Sequence, residues 1–444
     1  LIDELVREMK SAQKNINGVR APDANLVKEY LKLVEDIGNA RGRPLFFPYV
    51  GSGLGHGCYV ELSEGREKMD LINGNGIHLF GNGDENMLRA MVEGALGDVV
   101  NQGNIQPNSD YFELLNGLVK QAQKKSRLRY AWIATCGTMA NENALKMARQ
   151  KNSPARLVIA MRNAFAGRST LMAEVTDNPD FKQGLPTYED VIRIPFYDKN
   201  NPRSGEESLR ALQDHYARHG KYIAAFSFEP MQGEGGYWVA PREFFVPLLE
   251  FCREQKIAVW VDEVQTFCRT GEMFAFETLD IGKYVDLCTV AKTLQIGATL
   301  YTEEYNPKPG LIAGTYAGSS AALRAGVRTL SDLTEGKYFG AGGIVQKIHH
   351  EFVGGLRKLN ESTCRGLLQD ADGLGLMVAV TPFDGSKDKT LQLMKIMFQN
   401  GLITYYCGHG PYRIRFLLPI VMTSEDIQNA MKLIEQSVLE VSST

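Results

Sequence analysis

Between residues 130 and 292, short apolar runs alternate with amphipathic helical patterns, and this alternation limits the possible folds more than any other feature. In one intervening segment, "PREFFVPLLEFCREQK", Phe244, Leu248, Leu249 and Cys252 fall on one helical face. Nearly continuous apolar strands between such helices indicate an α/β fold with a mainly parallel sheet covered on both sides. The apolar runs of strand length are 130–135, 156–161, 223–230, 257–264 and 286–292.

The pattern predicts two domains. Residues 61–325 form the large α/β domain, residues 1–60 supply the N-terminal segment of a small domain, and residues 326–444 supply its C-terminal α+β part. The Gly- and Pro-punctuated stretch 42–57 is interpreted as a loop. The last helix should begin at "TSED" and bury Ile427, Ala430, Met431, Ile434 and Val438.

Composition excludes several classes of function. The 444-residue chain is 44% hydrophobic and 23% charged, with a formal net charge of −3, so neither nucleic acid nor an anionic membrane is expected as a partner. The seven cysteines lack the paired spacing of a zinc site or a disulfide framework, which favours a reducing compartment. We expect a cytoplasmic protein, with the mitochondrial matrix left open.

Ionisable residues end two of the predicted strands. Asp262 and Glu263 close one run, and Lys292 closes the next. Ligands of open α/β sheets bind at the carboxyl ends of the strands. A lysine there can form a Schiff base with the aldehyde of pyridoxal phosphate, and a carboxylate can pair with its protonated pyridine nitrogen. Either residue alone could equally be the solvated end of a strand.

Other parts of such a site follow the remaining strands. In "ATCGTMANENALK", Gly137 and Thr138 open a helix, whose N-terminus suits a phosphate. In "RNAFAGRST", Phe165 could stack on a pyridine ring, and Arg168 could grip a substrate carboxylate. Each feature also has a plain interpretation, as a helix start, a core aromatic or a surface arginine. The stretch "FEPMQGEGG" adds the carboxylates of Glu229 and Glu234.

The stretches "EPMQGEGG", "VDEVQT…RTG" and "TVAK" together resemble the class III (subgroup II) aminotransferases, pyridoxal-phosphate enzymes of fold type I with a seven-stranded-type sheet; the resemblance runs from about residue 61 to 427. It implies that Lys292 carries the internal aldimine and shuttles protons, that Asp262 pairs with the pyridine nitrogen, and that Gln265 binds the phenolic oxygen. Thr315 would contact the phosphate from the neighbouring subunit, which implies a homodimer with shared active sites.

Within that family, "TCGTMANENALK", "AKTLQIGATLYTEEYNPKPG" and "YYCGHGPYRIRF" resemble the 4-aminobutyrate and lysine ω-aminotransferases. The resemblance implies ping-pong transfer of a distal amino group from 4-aminobutyrate, lysine, ornithine or a similar donor to 2-oxoglutarate. Arg168 would bind the donor carboxylate, and Glu234 would cover a second clamp, Arg415, until the oxo acid arrives. Glu234 and Arg415 could instead form a structural ion pair. A racemase or aminomutase, and a non-catalytic protein of this fold, are the alternatives.

The sequence departs from the family pattern at three places. The family histidine before Gly-Arg is Ala166, which predicts a more open pocket beside the cofactor ring. Cys136 is followed three residues later by Met139, so the second cysteine of an iron–sulfur site is missing and no metal is expected. The stretch "QTFCRTG" is one residue shorter than the usual family spelling around Phe267.

Overall fold

The computed structural model describes residues 1–97, 101–102 and 106–443. The chain divides into a large unit, Ala90–Gly343, and a small unit, which consists of Leu1–Arg89 and Ile344–Thr444. Both boundaries differ from the predicted ones. Residues 61–89 belong to the small unit because its strands pair with one another, and residues 326–343 belong to the large unit, whose helix Ser320–Glu335 packs on Ser109–Ala122.

A seven-stranded sheet forms the centre of the large unit, in the order β5-β11-β10-β9-β8-β6-β7. Only β11 runs antiparallel to its neighbours, so the mainly parallel sheet that the sequence predicts is confirmed. All five apolar runs form strands. The strands are β5 (Tyr130–Ala134), β6 (Leu157–Met161), β7 (Val191–Ile194), β8 (Ile223–Phe228), β9 (Ala258–Asp262), β10 (Leu287–Val290) and β11 (Gly297–Tyr301).

Several helices of the large unit pack against this sheet through an apolar face. In α9 (Arg242–Glu254) the predicted residues Phe244, Leu248, Leu249 and Cys252 are all buried. The helix α6 (Gly137–Lys151) contacts β8, β10 and β11. The other helices are α5 (Ser109–Ala122), α7 (Thr170–Val175), α8 (Ser204–His219), α10 (Ala275–Thr278) and α11 (Ser320–Glu335), and a short ladder joins β4 (Asn101–Gln102) to β12 (Gly318–Ser319).

The small unit contains two four-stranded sheets, ordered β1-β2-β3-β15 and β13-β14-β17-β16. Their strands are β1 (Gly51–His56), β2 (Tyr59–Leu62), β3 (Glu67–Asp70), β13 (Leu368–Leu374), β14 (Met377–Pro382), β15 (Leu402–Ile403), β16 (Tyr405–Cys407) and β17 (Arg413–Leu417). Its helices are α1 (Ile2–Gln13), α2 (Val27–Arg41), α3 (Asn73–Gly76), α12 (Ile344–Glu361), α13 (Lys387–Gln399) and α14 (Ser424–Ser442), and the division between units falls within α4 (Glu85–Ala95).

Two local predictions for the small unit have different outcomes. The stretch 42–57 is not all loop, because β1 pairs antiparallel with β2; its glycines hide the alternation that signals a strand. The last helix begins as predicted, with a capping box between Thr423 and Asp426. Among the described helices, none combines the length and the apolar character needed to cross a membrane.

Candidate functional site

The strand ends bring the two ionisable positions together. In the parallel pair β9 and β10, Asp262 lies opposite Thr289, and the backbone N–H of Glu263 donates to the Thr289 carbonyl over 2.8 Å. Asp262 is therefore the last residue of its strand, and Lys292 follows two residues after the end of the neighbouring strand. Lys292 has a φ of 47°, a left-handed conformation that is uncommon for a residue with a side chain.

Asp262 is a buried carboxylate held by two donors. Its Oδ1 accepts from the backbone N–H of Val264 at 2.9 Å, and its Oδ2 accepts from Asn141 Nδ2 at 2.7 Å. Burial raises the pKa of Asp262 to about 6, while these two hydrogen bonds and the nearby charge of Lys292 act in the opposite direction. A bound cation beside this carboxylate would stabilise its ionised form.

The sequence prediction missed Asn141. Its Nδ2 also donates to the Ala166 carbonyl at 2.7 Å, so one side chain joins β9 to the segment after β6. The signal available in the sequence was a polar residue in the first turns of a helix whose buried positions are mainly apolar. Asn141 is 1% exposed, which a polar side chain tolerates only with partners of this kind.

The helix α6 begins where the sequence predicts the phosphate loop. Gly137 is the first residue of this 15-residue helix, and a Cβ there would lie 2.7 Å from Val264 Cγ1. Gly167 has a φ of 131°, and a Cβ there would lie 2.5 Å from Thr138 Oγ1. Both glycines therefore permit close approach of the backbone, and the helix N-terminus offers N–H groups and a favourable dipole to a phosphate.

Glu229, which follows β8, joins two loops of the site. Its Oε1 accepts from the backbone N–H of Phe165 at 3.0 Å, and its Oε2 accepts from that of Gly233 at 2.9 Å. Burial, followed by the charge of Asp262, raises the pKa of Glu229 to about 8. Glu229 therefore positions the segment that carries Phe165.

Gln265 lies beside the same loop. A Cβ on Gly233 would lie 2.7 Å from Gln265 Oε1, so only glycine fits there without moving the amide. Gln265 Oε1 is buried and has no hydrogen-bond partner among the residues that the structure describes. Such an atom is costly unless a bound group supplies the partner.

Phe165 and Arg168 are separated by a ring that the sequence prediction missed. Phe181 meets Phe165 edge to face, with 6.0 Å between centroids and 90° between planes. The Cζ of Arg168 lies 3.7 Å from the centroid of the same Phe181 ring. No motif signals this contact, because Phe181 lies in a single 3₁₀ turn, Pro179–Phe181, within the connection after α7.

Two predicted features have other roles in the structure. Ala166 is 5% exposed and belongs to the core cluster that includes Met172 and Val175, so its methyl group faces the core. The more open pocket beside the ring that Ala166 suggests stays a prediction. Glu263 accepts from the backbone N–H groups of Ala275 and Phe276 at 2.7 and 2.9 Å, so it caps α10.

The remaining predicted residues lie in different parts of the chain. Glu234 is partly exposed in the turn after β8, and Thr315 is exposed in the loop before β12. Arg415 lies on β17 of the small unit, 1% exposed, with its Nη2 3.3 Å from Asn75 Oδ1 and its Cζ 5.3 Å from the centroid of the Tyr405 ring. The large unit thus holds Gly137, Thr138, Phe165, Arg168, Glu234, Asp262, Gln265, Lys292 and Thr315.

The large-unit residues fit pyridoxal phosphate. A buried carboxylate suits its pyridinium, the unsatisfied Gln265 amide suits a polar ring substituent, and the start of α6 suits its phosphate. Lys292, half-buried at the strand edge, supplies an amine for its aldehyde. No cluster of three His, Cys, Asp or Glu side chains suited to a metal ion occurs within the described part of the chain.

Comparisons with known proteins agree with this geometry. A family described as Aminotransferase class-III matches residues 46–438. The chain is 28% identical to the acetylornithine aminotransferase of Gloeobacter violaceus, over 86% of this chain and 91% of the relative. It is 27% identical to a probable 4-aminobutyrate aminotransferase of Bacillus subtilis, over 86% and 91%. The lysine aminotransferase structure from M. tuberculosis superposes with a TM-score of 0.81 at 21% identity, covering 92% of this chain and 99% of that one.

Proposed function

The chain belongs to the class-III aminotransferases, which depend on pyridoxal phosphate, and on that premise we propose that it is an ω-aminotransferase. It would move a distal amino group from 4-aminobutyrate, lysine, ornithine or a similar donor to 2-oxoglutarate by a ping-pong mechanism. The reaction class is that of the family; the donor, the acceptor and the residue roles are our proposal.

The spacing of Lys292 and Arg168 along the sheet edge supports a distal amino group. Lys292 follows β10 and Arg168 follows β6, and these strands are separated by β9 and β8. Three strand spacings amount to about 14 Å, from which both long side chains can reach inward. A donor with its amine and carboxylate at opposite ends suits such a separation better than an α-amino acid does.

The named relatives support the same class of donor. Acetylornithine and 4-aminobutyrate, which appear in the names of two relatives, both carry a reactive amine several carbons from a carboxylate. A hydrophobic pocket separates donors that differ by one methylene by only about 1–3 kcal/mol. The choice among these donors is therefore a matter for measurement.

The proposed roles follow from the contacts of each residue. When bound, pyridoxal phosphate supplies an aldehyde for the amino group and an electron-withdrawing ring for the reacting carbon. Lys292 would hold the aldehyde, and its amine would remove and return a proton at the substrate carbon. Asp262, ionised and held by Asn141, keeps the pyridine nitrogen protonated. Thr138 and the start of α6 hold the phosphate, and Gln265 binds the phenolic oxygen.

Two arginines would hold the substrate carboxylates in turn. Arg168 binds the carboxylate of the ω-amino donor. Arg415 binds the α-carboxylate of 2-oxoglutarate or glutamate, and Glu234 covers it while the donor is bound. A ping-pong enzyme needs such a switch because one pocket accepts two molecules of different charge.

The first test is the visible absorption spectrum of the loaded protein with single amines and no oxo acid. One ω-amino acid should bleach the cofactor band, and 2-oxoglutarate should restore it. The panel contains 4-aminobutyrate, 5-aminopentanoate, lysine, ornithine and acetylornithine, with 2-aminoadipate as the α-amino control. Bleaching by the α-amino control alone would contradict the distal-amine proposal, and a band that no amine bleaches would favour a racemase or aminomutase.

The roles of Arg168 and Arg415 can be distinguished by measuring the two half-reactions individually. Arg415→Ala should slow the glutamate half-reaction at least tenfold more than the ω-amine half-reaction, because only the former places a carboxylate on Arg415. Lys292→Ala provides the matched control, since it should abolish both halves. Equal losses in Arg415→Ala would contradict the two-clamp proposal.

We further propose a cytoplasmic homodimer in which Thr315 of each copy contacts the phosphate held by the other. Thr315 is exposed, its neighbour Tyr316 is 50% exposed, and Phe112 on α5 is 66% exposed, which supports a partner surface. No disulfide bond joins any of the seven cysteines, all of which lie in the described part of the chain, and this supports a reducing compartment. Thr315→Ala subunits should bind the cofactor more weakly, and mixing them with inactive Lys292→Ala subunits should restore part of that affinity if the sites are shared.

A further inference from the structure

A short loop of the large unit is fastened to the segment that carries Arg168. The backbone N–H of Ala166 donates to Thr176 Oγ1 at 2.9 Å, and that hydroxyl donates to the Gly167 carbonyl at 3.0 Å. The N–H of Asp177 donates to the Ala164 carbonyl at 2.8 Å. The chain on either side of α7 is therefore joined at three points, which fixes residues 176–181 relative to residues 163–168.

The end of this loop is itself ordered by local contacts. Asn178 Oδ1 accepts from the backbone N–H of Asp180 at 2.9 Å, and Pro179 opens a 3₁₀ turn that ends at Phe181. Asp177 is held from outside by Arg193, whose Nε lies 3.0 Å from Asp177 Oδ1. A turn that begins with proline and has an asparagine cap loses little conformational entropy on folding. The backbone that carries the Phe181 ring is therefore held in one conformation.

Phe181 contacts both residues that we place in the pocket. Its edge-to-face contact fixes its distance from Phe165, the ring that we expect to stack on the cofactor. Its face carries the Arg168 guanidinium, at 3.7 Å from centroid to Cζ. Stacking uses the face of the guanidinium plane, whereas a carboxylate binds in that plane through two N–H groups, so Arg168 can do both at once.

From this arrangement we propose that Phe181 is a positioning residue that sets the carboxylate selectivity of the enzyme through Arg168. An exposed arginine explores many rotamers, and holding one of them costs free energy that binding must supply. The Phe181 ring restricts Arg168 before the substrate arrives, at a fixed distance from Phe165. The inference rests on the proposed role of Arg168 as the clamp for the donor carboxylate.

The test compares 5-aminopentanoate with pentylamine, two donors of equal chain length that differ in the carboxylate. Half-reaction rates at graded donor concentrations give a maximal rate and an apparent dissociation constant for each. The variants are Phe181→Ala, Phe181→Tyr, Arg168→Ala and the double variant Arg168→Ala/Phe181→Ala. The dissociation constant of pentanoate, measured by ligand NMR titration, provides a readout that is independent of turnover.

Phe181→Ala should raise the apparent dissociation constant for 5-aminopentanoate and pentanoate about 3- to 30-fold, the range expected for a cation–π contact. The apparent dissociation constant for pentylamine and the maximal rates with both donors should change less than twofold. Phe181→Tyr should restore binding, because tyrosine keeps the aromatic face. In the Arg168→Ala variant, removal of Phe181 should not weaken the binding of 5-aminopentanoate any further, because the two residues act as one unit.

Two results would overturn the proposal in favour of a purely structural ring. One is that Phe181→Ala weakens the binding of both donors equally, and the other is that the losses of affinity add in the double variant. The Arg168→Ala variant is the control that distinguishes failure of the positioning role of Phe181 from failure of the proposed clamp role of Arg168. If Arg168→Ala selectively weakens 5-aminopentanoate while Phe181→Ala has no effect, only the positioning role fails. If Arg168→Ala shows no carboxylate selectivity, both the clamp and the positioning role fail.

Discussion

Replacing Asn141 by leucine tests how the structure sets the charge of Asp262. The two side chains have similar shapes, so the change removes the 2.7 Å donor to Asp262 Oδ2 while largely avoiding a cavity. A hydrogen bond to a charged group contributes about 1.5–3 kcal/mol, and one pKa unit corresponds to 1.36 kcal/mol. The pKa of Asp262, which is about 6 in the native chain, should therefore rise by about 1–2.

This higher pKa should weaken pyridoxal-phosphate binding in a pH-dependent way, because the pyridinium pairs only with ionised Asp262. The apparent dissociation constant scales with 1 + 10^(pKa − pH). With a rise of about 1.5, Asn141→Leu should bind cofactor about 16-fold more weakly than the native protein at pH 6, about 4-fold at pH 7 and about equally at pH 9. The direction of this pH dependence follows from the protonation of Asp262. Acid conditions neutralise its carboxylate more in the variant than in the native protein, whereas at high pH the carboxylate is ionised in both.

The assay is equilibrium dialysis against graded pyridoxal phosphate, with absorbance of the bound cofactor, at each pH. Asn143→Leu provides the matched control, since Asn143 is 6% exposed on the same helix and Asn141 is the residue that donates to Asp262. Because the Ala166 carbonyl also loses its Asn141 donor, thermal unfolding is measured in parallel. Weakening of the same size at pH 6 and pH 9 would refute the electrostatic account.

Three further substitutions test packing and burial. Burial lowers the pKa of Lys68 to about 8, below the 10.4 of an unfolded lysine, so the unfolded state binds more protons at this site between these values. The contribution of Lys68 to the unfolding free energy should therefore rise by about 2.5 kcal/mol from pH 8 to 10.5, measured in denaturant titrations as the difference between the native chain and Lys68→Met. Ala166→His should overpack the core and cost about 1–3 kcal/mol, seen as a lower thermal midpoint, whereas an unchanged midpoint would contradict its core placement. Gly233→Ala should displace Gln265 and weaken cofactor binding, while Gly354→Ala, with nothing within 4 Å of the new Cβ, should bind normally.

The sequence predicted the features that depend on local pattern. Continuous apolar runs can be recognised in the sequence itself. A parallel sheet then brings the carboxyl ends of these strands to one edge. This is why Asp262 and Lys292 could be paired as candidates across 30 positions (292 − 262) before the structure was known. Glycine-rich β1 carries no such pattern, because residues without side chains cannot show alternation.

The rest of the site depends on contacts between distant segments that no local pattern marks. Asn141 and Asp262 are 121 positions apart, and the partner of Asn141 is decided by which strand α6 crosses. The surroundings of the Ala166 side chain, a buried apolar cluster that includes Met172 and Val175, depend likewise on the fold. Phe181 lies in a loop whose course is fixed by hydrogen bonds from Thr176 and Asp177, both polar residues of ordinary appearance.

The two carboxyl groups at the ends of β8 and β9 explain how the site can present a single negative charge to the cofactor ring. The pKa of Asp262 is about 6 and that of Glu229 about 8, so near neutral pH Asp262 ionises while Glu229 keeps its proton. The charge of Asp262 itself contributes to the raised pKa of Glu229, and a cationic pyridinium beside Asp262 would deepen this division. Glu229 can then anchor the loops of Phe165 and Gly233 without competing for the cation. Neighbouring strand ends thus supply one carboxyl group for electrostatics and another for geometry, and since both are buried, the donors and charges around each group decide which is which.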